Sequence, residues 1–265
     1  MNSVSSRDAD LAADLERALA ADEFHLVYQP EIDLHTNGFA GVEALIRWRH
    51  ATRGVVSPDQ FIPLLEASGE IVPVGRWALE TACYQGSEWY TKGYRFPVAV
   101  NTSIQQLRDA SFVADVHRVL RASRLDPAHL TLEFSYVALE DSEVLKNLAD
   151  IHDAGVRLAI DDFAPGRPDF AALATLPVDI VKLDRDFVTE NSSAANATVI
   201  HHVVRDARAL NLRVIASGVE HASQRDNLRA ESVDVGQGFH FARPYEVEEI
   251  DRFLEDFALF SGRPL

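Results

Sequence analysis

The sequence predicts an α/β fold, a (β/α)8 TIM-like barrel with one antiparallel barrel strand, and three observations carry that prediction. Strand-like and helix-like runs alternate along almost the whole chain. Several of the strand runs are continuously apolar, as expected of a parallel sheet covered on both faces. The length of 265 residues suits a single barrel of about 250 residues. A doubly wound open sheet is the alternative, but no Gly-rich phosphate loop follows the first strand.

The elements follow in order. An opening amphipathic helix, about Ala9 to Ala21, leads into the strand Phe24-His25-Leu26-Val27-Tyr28-Gln29-Pro30. A turn at Thr36-Asn37-Gly38 separates it from the strand around Glu43, which is hairpin spacing. A helix starts at Ser57-Pro58, with Ser as N-cap and Pro at the first helical position, and a longer helix follows to about Lys92. The strands 98–101, 130–133, 158–161, 180–183, 214–217 and 235–238 come next, with helical runs between them. A last helix covers about Val247 to Phe260. Residues 1–8 read as a flexible lead, and 9–265 as a single domain without an internal composition break.

Composition bounds the function. With 47% hydrophobic and 25% charged residues, the chain has the apolar mass for a core. The lone Cys83 excludes an internal disulfide and indicates a reducing compartment. No run approaches the roughly 18 apolar residues of a membrane helix, and no signal peptide opens the chain, so a cytoplasmic location is expected. A net charge of −16 argues against a nucleic-acid polymer as partner. A small phosphorylated ligand held through divalent cations remains compatible with it.

The chemistry-bearing residues fall at strand ends. Glu43 and Arg47 share one face of their strand, because strand side chains repeat every two residues. A structural ion pair is one explanation and a functional acid and base the other. Beyond them, Asn101, Glu133, Asp161 with Asp162, Lys182, Ser217 and Gln237 each close a predicted strand. In a parallel barrel these ends converge on one mouth, where active sites lie. Taken singly, each is more often a cap, a turn former or a surface residue; their recurrence at successive strand ends argues for a site. Four carboxylates and an amide make an all-oxygen set suited to Mg²⁺ or Mn²⁺. Adjacent Asp161 and Asp162 both reach the mouth only if the strand ends or kinks there. Two ions about 4 Å apart would polarise a phosphate and acidify a water, with Lys182 orienting that water or stabilising developing charge. The ten His residues show no metal-ligand spacing.

These residues also carry a pattern. From about Leu11 to Phe257 the chain resembles the EAL domain family of cyclic di-GMP phosphodiesterases. The matching segments are Tyr28-Gln29-Pro30, Glu43-Ala44-Leu45 with Arg47-Trp48, Phe61-Ile62-Pro63, Val100-Asn101-Thr102-Ser103, Leu132-Glu133, Asp161-Asp162-Phe163, Val181-Lys182-Leu183-Asp184, Gly218-Val219-Glu220 and Gln237-Gly238 through Arg243-Pro244. The resemblance implies metal ligation by Glu43, Asn101, Glu133, Asp161 and Asp162, with Mg²⁺ or Mn²⁺, two ions among the options. It implies catalytic roles for Lys182, Glu43 and Asp161, and a ligand-phosphate contact for Arg47, with Gln29, Gln237, Asp184 and Pro244 as further substrate-binding positions. The family reaction opens cyclic di-GMP to linear pGpG by a metal-activated water. A homodimer, an upstream sensor or cyclase domain and a protein partner are compatible with it.

Three departures from the pattern stand out. Family members usually read Glu-Gly-Val-Glu where this chain reads Ser217-Gly218-Val219-Glu220. A serine takes no proton near neutral pH, and losing a positioned base typically costs on the order of 10²–10⁴ in rate. The loop after Asp161-Asp162, usually glycine-rich, reads Phe163-Ala164-Pro165-Gly166-Arg167-Pro168-Asp169, and its two prolines fix φ and remove N–H donors. The glutamate that anchors that loop in the family is Tyr136 here. The reading favoured is therefore cyclic di-GMP binding with weakened or lost hydrolysis. An active Mg²⁺- or Mn²⁺-dependent phosphodiesterase is the alternative, and a nucleotide-independent protein-interaction module is the third.

Overall fold

The computed structural model describes residues 6–163, 170–185, 188 and 194–261. Nine strands form one sheet in the order β1-β9-β8-β7-β6-β5-β4-β2-β3, and a further β1–β2 pairing closes it into an eight-stranded barrel with β3 outside the ring. They are β1 (Phe24–Asp33), β2 (Phe39–His50), β3 (Gly54–Val56), β4 (Val98–Asn101), β5 (Leu130–Ser135), β6 (Arg157–Phe163), β7 (Ile180–Leu183), β8 (Arg213–Ala216) and β9 (Val235–Gln237). β1 runs antiparallel to both of its neighbours, β2 and β9, whereas β2 and β4 to β9 run parallel. The mixed barrel expected from the sequence is the one observed.

The helices cover the outside: α1 (Ser6–Ala18), α2 (Pro58–Ser68), α3 (Ile71–Thr91), α4 (Ile104–Arg108), α5 (Phe112–Ser123), α6 (Ser142–Asp153), α7 (Phe170–Leu173), α8 (Ala194–Ala209), α9 (Ala222–Ala230) and α10 (Val247–Ser261). Their buried stripes recur at helical spacing, as in Phe112, Val116, Val119 and Leu120 of α5. α1 begins three residues before the predicted Ala9 and stops three short of Ala21, because Asp22 takes a left-handed φ of 53° that a helix excludes. Pro58 opens α2 as expected, but the Ser57 side chain makes no capping hydrogen bond. Gly69, at φ 83°, ends α2 and separates it from α3.

The predicted β1–β2 hairpin turns at Asn37, with φ 53°. Asp33 holds it: its Oδ1 accepts from the backbone N–H groups of His35 and Thr36 and from the Thr36 hydroxyl. Inside the barrel the foot is apolar. Ala159, Ile180, Ile215 and Val235 pack together there against Ala40. The same strands place polar residues two positions further on, which sets the mouth.

Candidate active site

Lys182 is the centre of the mouth. It is 1% exposed, and its Nζ donates to Glu43 Oε2 at 3.0 Å and to Glu133 Oε2 at 2.5 Å. Glu43 accepts two more bonds, from Asn101 Nδ2 at 2.6 Å and from Gln237 Nε2 at 2.8 Å. Three strands, β4, β7 and β9, thus send donors to one carboxylate on a fourth, β2. The register explains how: Glu43 faces Gln29 across the hairpin, and Asn101 lies level with Glu133.

Burial would raise the Glu43 carboxyl, but the Lys182 ammonium and the amides of Gln237 and Asn101 outweigh it and hold the group below its usual range. Glu133, equally buried and facing the Glu43 charge, is pushed well above its usual value despite Lys182. Burial also works against the Lys182 ammonium, yet Glu133, Glu43 and Asp161 together raise it and keep it charged. Lys182 thus donates to both carboxylates, Glu43 held below its usual range and Glu133 pushed above it. Glu133 Oε1 is buried with no hydrogen-bond partner among the described residues.

Asp161 and Asp162 meet the geometric condition stated from sequence. The β6–β7 register shifts between Ile160 and Phe163, and Asp162 takes a left-handed φ of 54°. That kink brings both aspartates to the cavity walls, where a regular strand would turn one away. Burial, then the charges of Asp161 and Asp184, raise the Asp162 carboxyl.

Arg47 is half-buried and does not pair with Glu43, so the structural ion pair is not what forms. Its Nη1 donates to its neighbour's carbonyl, Ile46 O, at 2.8 Å, and no acid bridges to it among the described residues. Gln29 is buried and donates to Ala242 O at 3.2 Å. Gln237 is followed by Gly238 at φ 150°, where a Cβ would stand 2.2 Å from Val219 O, so glycine is required at that crossing.

Two cavities share this mouth. One, of about 340 Å³, is lined by Gln29, Glu43, Arg47, Asp161, Asp162, Lys182, Asp184, Ser217, Gln237 and Pro244. The other, of about 590 Å³, holds Arg47, Asn101, Glu133, Asp161 and Asp162 against an apolar wall that includes Ile62, Ile71 and Val74. Every metal-ligand, catalytic and substrate-binding candidate from the sequence lines one or both, and Arg47, Asp161 and Asp162 are among the residues common to the two.

The departures have a structural expression. Ser217 lies just past the end of β8, and its hydroxyl oxygen is buried without a partner among the described residues. Glu220 bonds Arg185 at 2.5 Å and so is engaged elsewhere. Tyr136 begins a short 3-10 helix, Tyr136–Glu140, half-buried against the core. The loop positions from Ala164 to Asp169, including Pro165 and Pro168, lie outside the described residues.

Glu31 was not singled out from sequence. It sits on β1 opposite Gln237, is 4% exposed, and its Oε1 is a further buried oxygen without a partner among the described residues. The signal was its two-residue spacing from Gln29, which places both on one face of β1.

The residues fit divalent cations by their chemistry. The donors are all oxygen, and Glu133 Oε1 is an unsatisfied buried acceptor. Three carboxylates buried inside the barrel, Glu31, Glu43 and Glu133, face a single buried ammonium, Lys182. Such a surplus of negative charge is costly unless cations or protons balance it. The set is open: among the described residues no three His, Cys, Asp or Glu side chains form a ready cage.

A family model described as the EAL domain matches residues 12–244. The chain belongs to the EAL domain family. It is 35% identical over 254 residues to a bifunctional diguanylate cyclase/cyclic di-GMP phosphodiesterase of Pseudomonas aeruginosa, MucR, with 94% of this chain and 37% of that protein aligned. It is 36% identical over 261 residues to the oxygen sensor protein DosP of Escherichia coli, covering 96% of this chain and 32% of that protein. This EAL chain therefore spans only about a third of those relatives. A solved structure described as the PaMucR phosphodiesterase in complex with c-di-GMP superposes with a TM-score of 0.87 at 36% identity, covering 91% of this chain and 99% of that one. No helix among the described residues is long and apolar enough to cross a membrane.

Proposed function

We propose that this EAL domain is a cytoplasmic receptor for cyclic di-GMP that binds the dinucleotide across its two cavities and hydrolyses it slowly or not at all. The observation that carries the reading is Ser217. It leaves a buried hydroxyl, without a partner among the described residues, where the family places a glutamate, while Glu43, Asp161, Asp162 and Lys182 line the same cavity.

Each residue has a defined part. Arg47, common to the two cavities, offers a guanidinium suited to a phosphate oxygen. Asn101 and Gln237 fix the Glu43 carboxylate, and Lys182 holds Glu43 and Glu133 together. Glu43, Asn101, Glu133, Asp161 and Asp162 would hold Mg²⁺ or Mn²⁺. Bound divalent ions supply polarisation of the phosphate and acidification of a water. Ser217 neither accepts a proton near neutral pH nor repels one, so proton removal at that position is lost. A loss on the order of 10²–10⁴ in rate is expected.

The test is incubation with cyclic di-GMP and Mn²⁺, products resolved by chromatography, beside binding calorimetry in Ca²⁺. Binding without linear product in the wild type, with pGpG appearing in Ser217→Glu, is the expected result. Rapid wild-type turnover that vanishes in Glu43→Ala makes the protein a phosphodiesterase instead. Absence of nucleotide binding rejects both readings and leaves the interaction module.

A further inference from the structure

Glu31 occupies a position that no part of the proposed chemistry uses, and its surroundings are those of a built site. Its carboxylate lies inside the barrel, and after burial itself its main electrostatic neighbours are the Lys182 ammonium, the Glu43 charge, the Arg213 guanidinium and the Asp161 charge, in that order. The space it fills is made by its hairpin partner: Gly41 stands opposite Glu31 on β2, and a Cβ there would come 3.0 Å from Glu31 Oε2. Any larger residue at 41 would crowd the carboxylate.

The register links Glu31 to the altered position. Glu31 pairs with Gln237 on β9, and Gly236 pairs with Ala216 on β8, so Glu31, Gln237 and Ser217 stand side by side on adjacent strands. The two outer members of that row, Glu31 Oε1 and the Ser217 hydroxyl, are both buried acceptors without partners among the described residues. Gln237 between them is committed to Glu43. A carboxylate is absent at one end of the row and present at the other.

We infer that Glu31 is a positioning residue that balances divalent cations at the mouth, supplying from β1 the negative charge that Ser217 does not supply from β8. It acts through Lys182, which it helps to hold, and through the field it adds behind Glu43 and Glu133. It lines neither cavity of the mouth, so it preserves cation affinity without restoring proton transfer. The inference rests on the proposal that the mouth binds divalent cations.

The experiment is a calorimetric Mn²⁺ titration of four proteins: wild type, Glu31→Gln, Ser217→Glu and Glu31→Gln/Ser217→Glu, with melting temperatures of the metal-free forms. Glu31→Gln is expected to weaken Mn²⁺ binding by about 10–100-fold, the usual effect of losing a supporting residue behind metal ligands. Its metal-free melting temperature is expected to hold or rise, because burial works against the charged form of Glu31. The double variant, which moves the carboxylate along the row, is expected to bring Mn²⁺ affinity back toward wild type. A structural role would lower the metal-free melting temperature and would not be rescued from position 217. Wild-type affinity in Glu31→Gln, or no rescue in the double variant, overturns the inference alone. Failure of the wild type to bind Mn²⁺ overturns both the inference and the cation-binding proposal beneath it.

Discussion

At the foot of the barrel Ala159, Ile180, Ile215 and Val235 close the interior with carbon; two residues further along the same four strands, Asp161, Lys182, Ser217 and Gln237 line the mouth with nitrogen and oxygen. Both sets face inward, because strand side chains repeat every second residue. The difference lies in what each set must satisfy. The foot gains from burying apolar area, about 1.5–3 kcal/mol for each large side chain. The mouth holds carboxylates in surplus over its one ammonium, so its stability depends on what else it binds. The barrel concentrates its stability at one end and its chemistry at the other.

The largest effect should come from breaking the mouth's own balance. Lys182→Met leaves Glu43 and Glu133 facing each other without a cation and is expected to cost about 3–5 kcal/mol in urea unfolding of the metal-free protein. Adding Glu133→Gln should recover part of that loss. Full stability in the single variant would mean that Lys182 does not hold the pair. At the foot, Ile215→Ala removes only packing, and an expected loss of about 2–5 kcal/mol should appear in unfolding while the cyclic di-GMP binding proposed for the folded protein stays unchanged. A fall in affinity equal to that of a mouth variant would abolish the distinction between the two ends.

The smallest effect belongs to the hairpin turn. Burial works to raise the Asp33 carboxyl, but the donors of Thr36 and His35 outweigh it and depress the group below 3.8. A depressed carboxyl contributes stability that is present above its unfolded value and lost as pH falls through the folded one. Asp33→Asn should therefore cost about 1 kcal/mol at neutral pH. The gap to wild type should close as pH drops below 3.8. A gap independent of pH would assign the effect to turn geometry alone.

Much of this was legible in the sequence, for identifiable reasons. The alternation of apolar runs fixed the barrel, and the turn at Asn37 fixed the one reversed strand. The mouth residues could be read because parallel strands all end there. Even the kink at Asp162 followed from two adjacent aspartates needing the same face. Glu31 escaped because β1 runs the other way, so the strand-end pattern of the parallel strands does not apply to it. Whether Glu43 paired with Arg47 also lay beyond the strand pattern; Lys182 reaches Glu43 from the far side of the barrel, a contact that only closure creates.

The reversed strand has a consequence for how the protein forms. β1 meets β2 through a short turn, but it meets β9 in only three registered pairs, Glu31 with Gln237, Ile32 with Gly236 and Asp33 with Val235. Those pairs join segments near opposite ends of the chain, so the entropy of closing the intervening loop falls on them. Hairpin contacts are local and quick to gain, whereas this seam is the most distant pairing in the sheet and the slowest kind to nucleate. Gln237 reaches Glu43 only once that seam is in place. Nascent chains stopped short of β9 can carry every carboxylate of the mouth and still lack the amide that donates to Glu43, so the hydrogen-bond set of that carboxylate is complete only when the last strand has left the ribosome.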